Sequence, residues 1–108
     1  MLKSALNELL LKNVVTLQYQ KKDGSVREVF CTKSPELLLS FEGKTLLGFW
    51  QPKNGPRYNI DATDNLLVWD LDNRDYRTLT ASRVRYYINK MSAKSFRNML
   101  INNKLKNM

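Results

Sequence analysis

The residue types that most often perform catalysis or hold metals are sparse in this sequence of 108 residues. It contains no histidine and one cysteine, whereas five aspartates fall within fifteen residues: Asp61, Asp64, Asp70, Asp72 and Asp75. Asp70 and Asp72 would share one face of a strand, where a Mg²⁺-dependent nuclease could use them. The alternative is that Asp72 and Asp75 serve a turn by accepting hydrogen bonds from their own backbone. We favour the turn because no general base lies at a recognisable spacing.

Nucleophilic and phosphate-binding motifs are equally weak. Cys31 lies on a predicted strand with no histidine to activate it, which indicates an inert, packed thiol. The run Gly43-Lys44-Thr45 matches only the end of a P-loop and lacks the upstream glycine. We therefore predict a protein that is not an enzyme, with no catalytic residue, no metal site and no cofactor.

Positive charge is the main chemical feature of the sequence, and it is unevenly distributed. The formal net charge is +8 and the pI is about 9.8, which favours polyanionic or acidic partners. Residues 79–108 carry a net charge of +7 and contain no acidic residue, whereas residues 61–78 carry −3. We therefore expect the C-terminal part of the chain to contain the binding surface.

Aromatic residues accompany these basic residues in two predicted elements, a last strand and a terminal helix. This mixture suits single-stranded nucleic acid, because guanidinium groups contact phosphates while rings stack on bases. The alternative is an edge strand with Val84 and Tyr86 inward, followed by a helix whose cations form its solvated face. The residues expected to bind nucleic acid are Arg83, Arg85, Tyr86, Tyr87, Lys90, Lys94, Arg97 and Lys104.

A second group of aromatic residues, in the middle of the chain, suggests a protein partner. Phe49, Trp50 and Tyr58 lie close to two prolines and would be exposed anchors of a protein–protein interface. The alternative is that these three rings close the open end of a β-barrel. The acidic segment 61–78, next to the basic C-terminal part, could likewise orient a protein partner.

Local patterns predict the elements that must position these residues. Apolar residues at helical spacing between Leu2 and Leu10 predict an N-terminal helix. Asp23-Gly24 predicts a two-residue hairpin turn, which would pair Leu17 with Phe30 and direct both toward the core. Further signals predict a cap at Ser34, a second hairpin (66–71 and 76–79), a last strand (83–89) and a helix capped by Ser92.

The predicted organisation is a single domain in three parts. An N-terminal helix (1–13) precedes a small β-barrel (14–89) with an insert at 33–65, and a basic C-terminal helix (90–108) follows. Because strands and helices do not alternate, a parallel sheet is not expected. We predict a mainly β, α+β fold, a small antiparallel barrel flanked by two helices.

Two hairpins carry a resemblance to a known family. The first has the turn Lys21-Lys22-Asp23-Gly24 and the exit Cys31-Thr32, and the second joins Val68-Trp69-Asp70-Leu71 to Tyr76-Arg77-Thr78-Leu79. In this order and spacing they resemble the phage-encoded WYL-like, Sm-like SH3 β-barrel family of small proteins. Tyr76 stands where that family often has tryptophan. The resemblance implies an Sm/SH3-like barrel and a phage context, and it transfers no catalytic residue.

These observations lead to two functional hypotheses. In the first, the chain is a small phage-type protein that binds DNA or RNA through its last strand and C-terminal helix. In the second, it is a phage effector that binds and modulates or inhibits a host protein complex of transcription or anti-phage defence. With a lone thiol, no apolar run long enough to span a bilayer and no secretory signal, a cytoplasmic location without membrane association is expected. The sequence leaves the oligomeric state open.

Overall fold

The computed structural model of the protein describes residues 1–39, 49–50 and 58–106. Its helices and strands in chain order are α1 (Lys3–Lys12), β1 (Asn13–Gln20), β2 (Val26–Thr32), α2 (Pro35–Leu37), β3 (Phe49–Trp50), β4 (Tyr58–Asn59), β5 (Asn65–Asp70), β6 (Asp75–Thr80), β7 (Val84–Ser92) and α3 (Ala93–Lys106). Among the described helices, none is both long and apolar enough to cross a bilayer.

The described strands form one large sheet and one small ribbon. Five of them make an antiparallel sheet in the order β6-β5-β2-β1-β7, while β3 and β4 pair only with each other. Strand β7 therefore lies at an edge of the sheet, with β1 as its neighbour. This arrangement, with a helix at each end of the chain, confirms the predicted α+β fold.

Apolar residues are buried on both faces of the central strands. Val15 and Leu17 of β1 join a core cluster with Leu6 and Leu10 of α1, so α1 covers one face. Val14 points to the opposite face, because neighbouring side chains on a strand alternate. There it belongs to a second cluster with Leu37, Ala93 and Phe96. Helix α3 therefore covers part of the second face.

The first hairpin forms where the sequence predicts it, but its turn is longer. Lys21 N donates a hydrogen bond to Ser25 O at 2.8 Å, which closes a loop of three residues rather than two. Gly24 has a φ of +89°, whereas Asp23 keeps a negative φ. The two-residue turn that we predicted needs a positive φ at both central residues. The carboxylate of Asp23 instead accepts hydrogen bonds from Ser25 N and Oγ.

This longer turn moves the register of the hairpin by one residue. Leu17 pairs with Val29, so the predicted pairing of Leu17 with Phe30 is wrong. A shift of one residue sends each side chain of a strand to the other face. Phe30 therefore lies on the α3 side of the sheet, where its ring meets that of Phe96 edge-on, with centroids 5.9 Å apart.

Gly24→Ala is expected to destabilise the protein by about 1 kcal/mol, because a side chain with a Cβ is strained at positive φ. Crowding does not contribute, since an added Cβ would meet nothing within 4 Å. Gly24→Asn is the control and should lose clearly less, because asparagine tolerates this conformation. Urea unfolding of both variants measures the difference, and equal losses would contradict the conformational explanation.

The ends of the helices follow the predicted signals, with small changes in their bounds. Ser34 Oγ accepts a hydrogen bond from Leu37 N at 3.4 Å, and Ser92 Oγ accepts one from Ser95 N at 3.2 Å, so both predicted caps are confirmed. Strand β7 continues to Ser92, and α3 consequently begins at Ala93 rather than at residue 90. Of the predicted insert 33–65, residues 40–48 and 51–57 lie outside the described residues.

Candidate nucleic-acid interface

Strand β7 is exposed along almost its entire length. Val84 is buried in the core, but every residue from Arg85 to Ser92 is exposed. The exposed side chains include Tyr86 at 51%, Tyr87 at 43% and Ile88 at 42%. A contiguous run of exposed aromatic and apolar residues is typical of an interaction surface.

Two bulges determine the direction of the side chains of β7. Opposite the four residues Thr16–Tyr19 of β1, β7 places the six residues Val84–Asn89, of which Arg85 and Ile88 are the extra ones. A bulge redirects the side chains that follow it. Without the bulge at Arg85, the side chains of Val84 and Tyr86 would lie on the same face of the sheet. With the bulge, Val84 pairs with Tyr19 and Tyr86 pairs with Gln18, so the two side chains lie on opposite faces. The alternative prediction that Tyr86 points inward is therefore wrong.

The same pairing separates the two tyrosines. Tyr86 pairs with Gln18 and Tyr87 pairs with Leu17, and these two neighbours on β1 face opposite sides of the sheet. Tyr87 consequently lies on the α1 side of the sheet, and Tyr86 lies on the α3 side. A ring is thus available on each side of the edge strand.

Four of the predicted cations stand on or beside this strand. Arg83 ends a 3₁₀ turn before β7, and Lys94 lies in the first turn of α3. Arg85 and Lys90 lie on the strand itself. All four are exposed, and within the described part of the chain none of them forms an ion pair. Their charges are therefore available to an anionic ligand.

Two other predicted cations are placed differently. Arg97 Nη1 donates to Glu36 Oε1 at 2.5 Å, which links α3 to α2. This partner occupies the guanidinium of Arg97, so we give that residue a supporting role. Lys104 belongs to the later turns of α3, and its assignment to the interface stays a prediction.

A cleft opens between β7 and α3, on the face of the sheet opposite α1. Its volume is about 300 Å³, and it is lined by Val14 and Phe30 of the sheet, by Asn89–Met91 of β7, and by Phe96 and Met99 of α3. Met91 and Met99 are each 39% exposed at the opening. Sequence reasoning missed this cleft, because the predicted register directed Phe30 to the other face.

The predicted protein-binding aromatics meet in the small ribbon. Trp50 of β3 pairs with Tyr58 of β4, and Phe49 pairs with Asn59. The backbones of the three residues are therefore adjacent, although they are distant in the sequence. Their side chains lie outside the described part of the structure, and their role as anchors stays a prediction.

The acidic segment contains a buried carboxylate that serves a turn. Asp70 is 3% exposed and accepts hydrogen bonds of 2.9–3.2 Å from Asp72 N, from Asn73 N and Nδ2, and from Arg77 Nε and Nη2. Burial alone would raise the pKa of Asp70, but the hydrogen bonds from Asn73 and Arg77 outweigh it and lower the pKa. The turn role that the sequence assigned to Asp72 and Asp75 thus belongs mainly to Asp70.

Candidates for metal ligands or for a nucleophile also include the other aspartates and the cysteine. Across residues 1–39, 49–50 and 58–106, no three acidic, cysteine or histidine side chains come together as metal ligands. Cys31 is fully buried, and burial, with a smaller contribution from Asp70, raises the pKa of its thiol to about 12. The predicted packed thiol is confirmed.

Strand order and terminal helices together define the class of this protein: a small α+β domain of the Sm/SH3-like type. The family model described as WYL_2, Sm-like SH3 beta-barrel fold, matches residues 3–85. The chain belongs to this family, which confirms the resemblance to WYL-like, Sm-like SH3 β-barrels noted from its two hairpins, while the phage context stays a prediction. No curated protein and no solved structure gave a match to the chain.

The family match ends inside the candidate interface. It includes Arg83 and Arg85, whereas residues 86–108 lie beyond it. The exposed tyrosines, Lys90 and all of α3 therefore fall outside the part of the chain that defines the family.

Proposed function

We propose that this protein binds nucleic acid along strand β7 and the first turn of α3, without a catalytic step. One observation carries the proposal: the exposed edge strand presents Arg85 and Lys90, which form no ion pair with any residue that the structure describes, beside the exposed rings Tyr86 and Tyr87. Cations of this kind neutralise phosphates, and rings stack on bases without strong sequence preference.

The length and ends of the surface also suit a polynucleotide. Strand β7 has nine residues, which at about 3.3 Å each span roughly 30 Å. Arg83 lies just before this strand and Lys94 just after it, so positive charge extends past both ends. A chain of phosphates several nucleotides long could therefore follow the whole edge.

An added β-strand from a protein partner fits this edge less well. Exposed edge strands can pair with an extended peptide through their free backbone groups. Bulges and charged side chains are the devices that natural sheets use against such pairing. Strand β7 has two bulges, at Arg85 and Ile88, and it carries cations along its edge. These features favour a ligand that is recognised through its phosphates and bases.

Binding should depend steeply on salt. If about four cations contact phosphates, the affinity for a labelled oligonucleotide should fall about 10²-fold between about 50 and 200 mM salt, because counterions are released on binding. Fluorescence anisotropy with single-stranded DNA, single-stranded RNA and a duplex measures this directly, with the free dye as control. No binding to any of the three at low salt would refute the proposal.

A phage effector that binds a host protein complex of transcription or anti-phage defence is the second candidate function. The observation that favours it is the adjacency of Trp50, Tyr58 and Phe49 in the β3–β4 ribbon. The experiment is a nuclease-treated pull-down from host lysate with wild-type protein and with Trp50→Ala/Tyr58→Ala. A stoichiometric protein that the variant no longer retains supports this candidate, and loss of every partner after nuclease treatment refutes it.

A further inference from the structure

We infer that the cleft between β7 and α3 holds an unpaired base of a single-stranded nucleic acid, an inference that rests on the proposed function. The cleft adjoins the proposed path of the phosphates, because its β7 wall is Asn89–Met91. A strand lying along β7 would therefore pass its opening. The inference adds a base-binding site to a surface that otherwise recognises only charge and stacking.

The size and lining of the cleft suit one planar group. A volume of about 300 Å³ is at the lower end of the range for sites of small ligands. Phe30 and Phe96 form a wall of rings held edge to face at an interplanar angle of 74°. Met91 and Met99 flank the opening, and their thioethers make favourable contacts with aromatic rings.

Two cations flank the cleft, and neither directs its side chain into it. Lys90 is a lining residue, but its pairing with Val15 directs its side chain to the α1 side of β7. Lys94 lies two residues before Phe96 and therefore on the outer side of α3. Glu36, which is near α3, is neutralised by its ion pair with Arg97. A base carried between two phosphates fits this arrangement, because the ring would meet the apolar lining while the phosphates stay on the edge strand beside the cations. An acyl chain or an apolar peptide side chain would satisfy only the lining.

Only a base that is not paired with another base can occupy the cleft. In a duplex, a base must leave the stack at a cost of a few kcal/mol before it can enter a pocket. We therefore expect single strands to bind at least about tenfold more tightly than a duplex of the same phosphate content. Because stacking on Tyr86 and Tyr87 also favours single strands, the preference assigns a base to the cleft only where it depends on the residues that line the cleft.

Methionine methyl groups provide a direct test by NMR after ¹³C labelling. Met91 and Met99 line the cleft, whereas Met1 packs against the core cluster on the α1 side and is the internal control. Addition of oligothymidylate should shift the signals of Met91 and Met99 through the ring current of a bound base. An abasic oligonucleotide of equal length and a duplex should bind without shifting these two signals.

Shortening the two methionine side chains at the opening of the cleft provides a second test. Met91→Ala/Met99→Ala should weaken the binding of single strands about tenfold and leave duplex binding unchanged, since the contacts of two thioethers with the base are lost. Ile101→Ala is the matched control, because Ile101 is as exposed as Met99 on the same helix but does not line the cleft. Its affinity should equal that of the wild type.

The outcomes separate this inference from the function on which it rests. If oligothymidylate binds but leaves Met91 and Met99 unshifted, or if the duplex shifts them equally, the base site is refuted and the proposed function stands. If the double variant binds single strands as tightly as the wild type, the base site is likewise refuted. If no nucleic acid binds at low salt, both fail.

Discussion

Asp70→Ala is expected to lower the free energy of unfolding by about 3 kcal/mol. The Asp70 carboxylate accepts five hydrogen bonds, from Asp72, Asn73 and Arg77, and only 3% of the residue is exposed. Removing a buried charged partner leaves its donors unsatisfied, which costs roughly 3–5 kcal/mol when the other ion is also buried. Because the Arg77 side chain is 38% exposed, water can replace part of the loss, and we expect the lower end of this range.

This network also links the second hairpin to β1. Arg77 Nη1 donates to Tyr19 Oη at 3.2 Å, while Arg77 Nη2 donates to Asp70 Oδ2 at 3.0 Å. Arg77 of β6 therefore bridges the end of β5 and β1. Loss of Asp70 should loosen the orientation of Arg77 toward Tyr19 as well as the turn itself.

Asp72→Ala is the control for this prediction. Asp72 lies two residues away in the same turn, but it is exposed, and exposed substitutions usually change stability by less than about 0.5 kcal/mol. Urea denaturation of both variants at neutral pH measures the difference. Equal losses for Asp70→Ala and Asp72→Ala would show that the buried network does not stabilise the fold.

Acid should remove the advantage of the wild type over Asp70→Ala. Although burial opposes the shift, the hydrogen bonds lower the pKa of Asp70 in the folded state below its ordinary value of 3.8. A depressed carboxyl pKa contributes stability that is fully present above the unfolded pKa and is lost as pH falls through the folded pKa. The stability difference between the two proteins should thus be constant near neutral pH and shrink below pH 3.8.

The order of elements was predictable from the sequence because each element has a local signal. Helix α1 follows from its apolar spacing, the hairpins follow from their turns, and Ser34 and Ser92 identify two helix starts within a residue. Such signals depend on neighbours in the chain and need no knowledge of the rest of the molecule. For the same reason, the cations on β7 and α3 could be chosen before the fold was known.

The register of the strands, and the face of the sheet on which each side chain lies, were not predictable in the same way. Asp23-Gly24 fits a two-residue and a three-residue turn alike, yet the choice decides which face Phe30 occupies. The bulges at Arg85 and Ile88 have no sequence signal of their own, since they arise where β7 must follow the twist of β1. The cleft depends on the hairpin register and on the course of β7, because it is lined by Phe30 and by residues at the junction of β7 and α3.

Charge reversal on the edge strand should have the largest effect on binding. Arg85→Glu/Lys90→Glu is expected to weaken nucleic-acid binding by about 10²-fold or more at low salt, because two attractive phosphate contacts become repulsive. Both side chains are exposed and unpaired in the described part of the chain, so the fold should be unaffected. Circular dichroism and thermal unfolding confirm the folding, and anisotropy measures the affinity.

Lys21→Glu/Lys22→Glu is the matched control, since it changes the net charge equally in the exposed β1–β2 turn. If binding depended only on the overall charge of +8, both double variants would lose the same affinity, and the assignment to β7 would be wrong. If β7 contacts the phosphates, only the β7 variant should lose the greater part of its affinity.

Salt dependence separates direct binding of phosphates from attraction at a distance. Removing one cation that binds a phosphate should reduce the slope of log affinity against log salt by about one, so the neutral variant Arg85→Gln/Lys90→Gln should reduce it by about two. Tyr86→Leu removes an exposed ring without changing charge, so it should lower the affinity and leave the slope unchanged. A slope that stays at the wild-type value in the Gln variant would show that Arg85 and Lys90 do not bind phosphates. Slope and affinity together thus distinguish the residues that neutralise phosphates from those that hold bases.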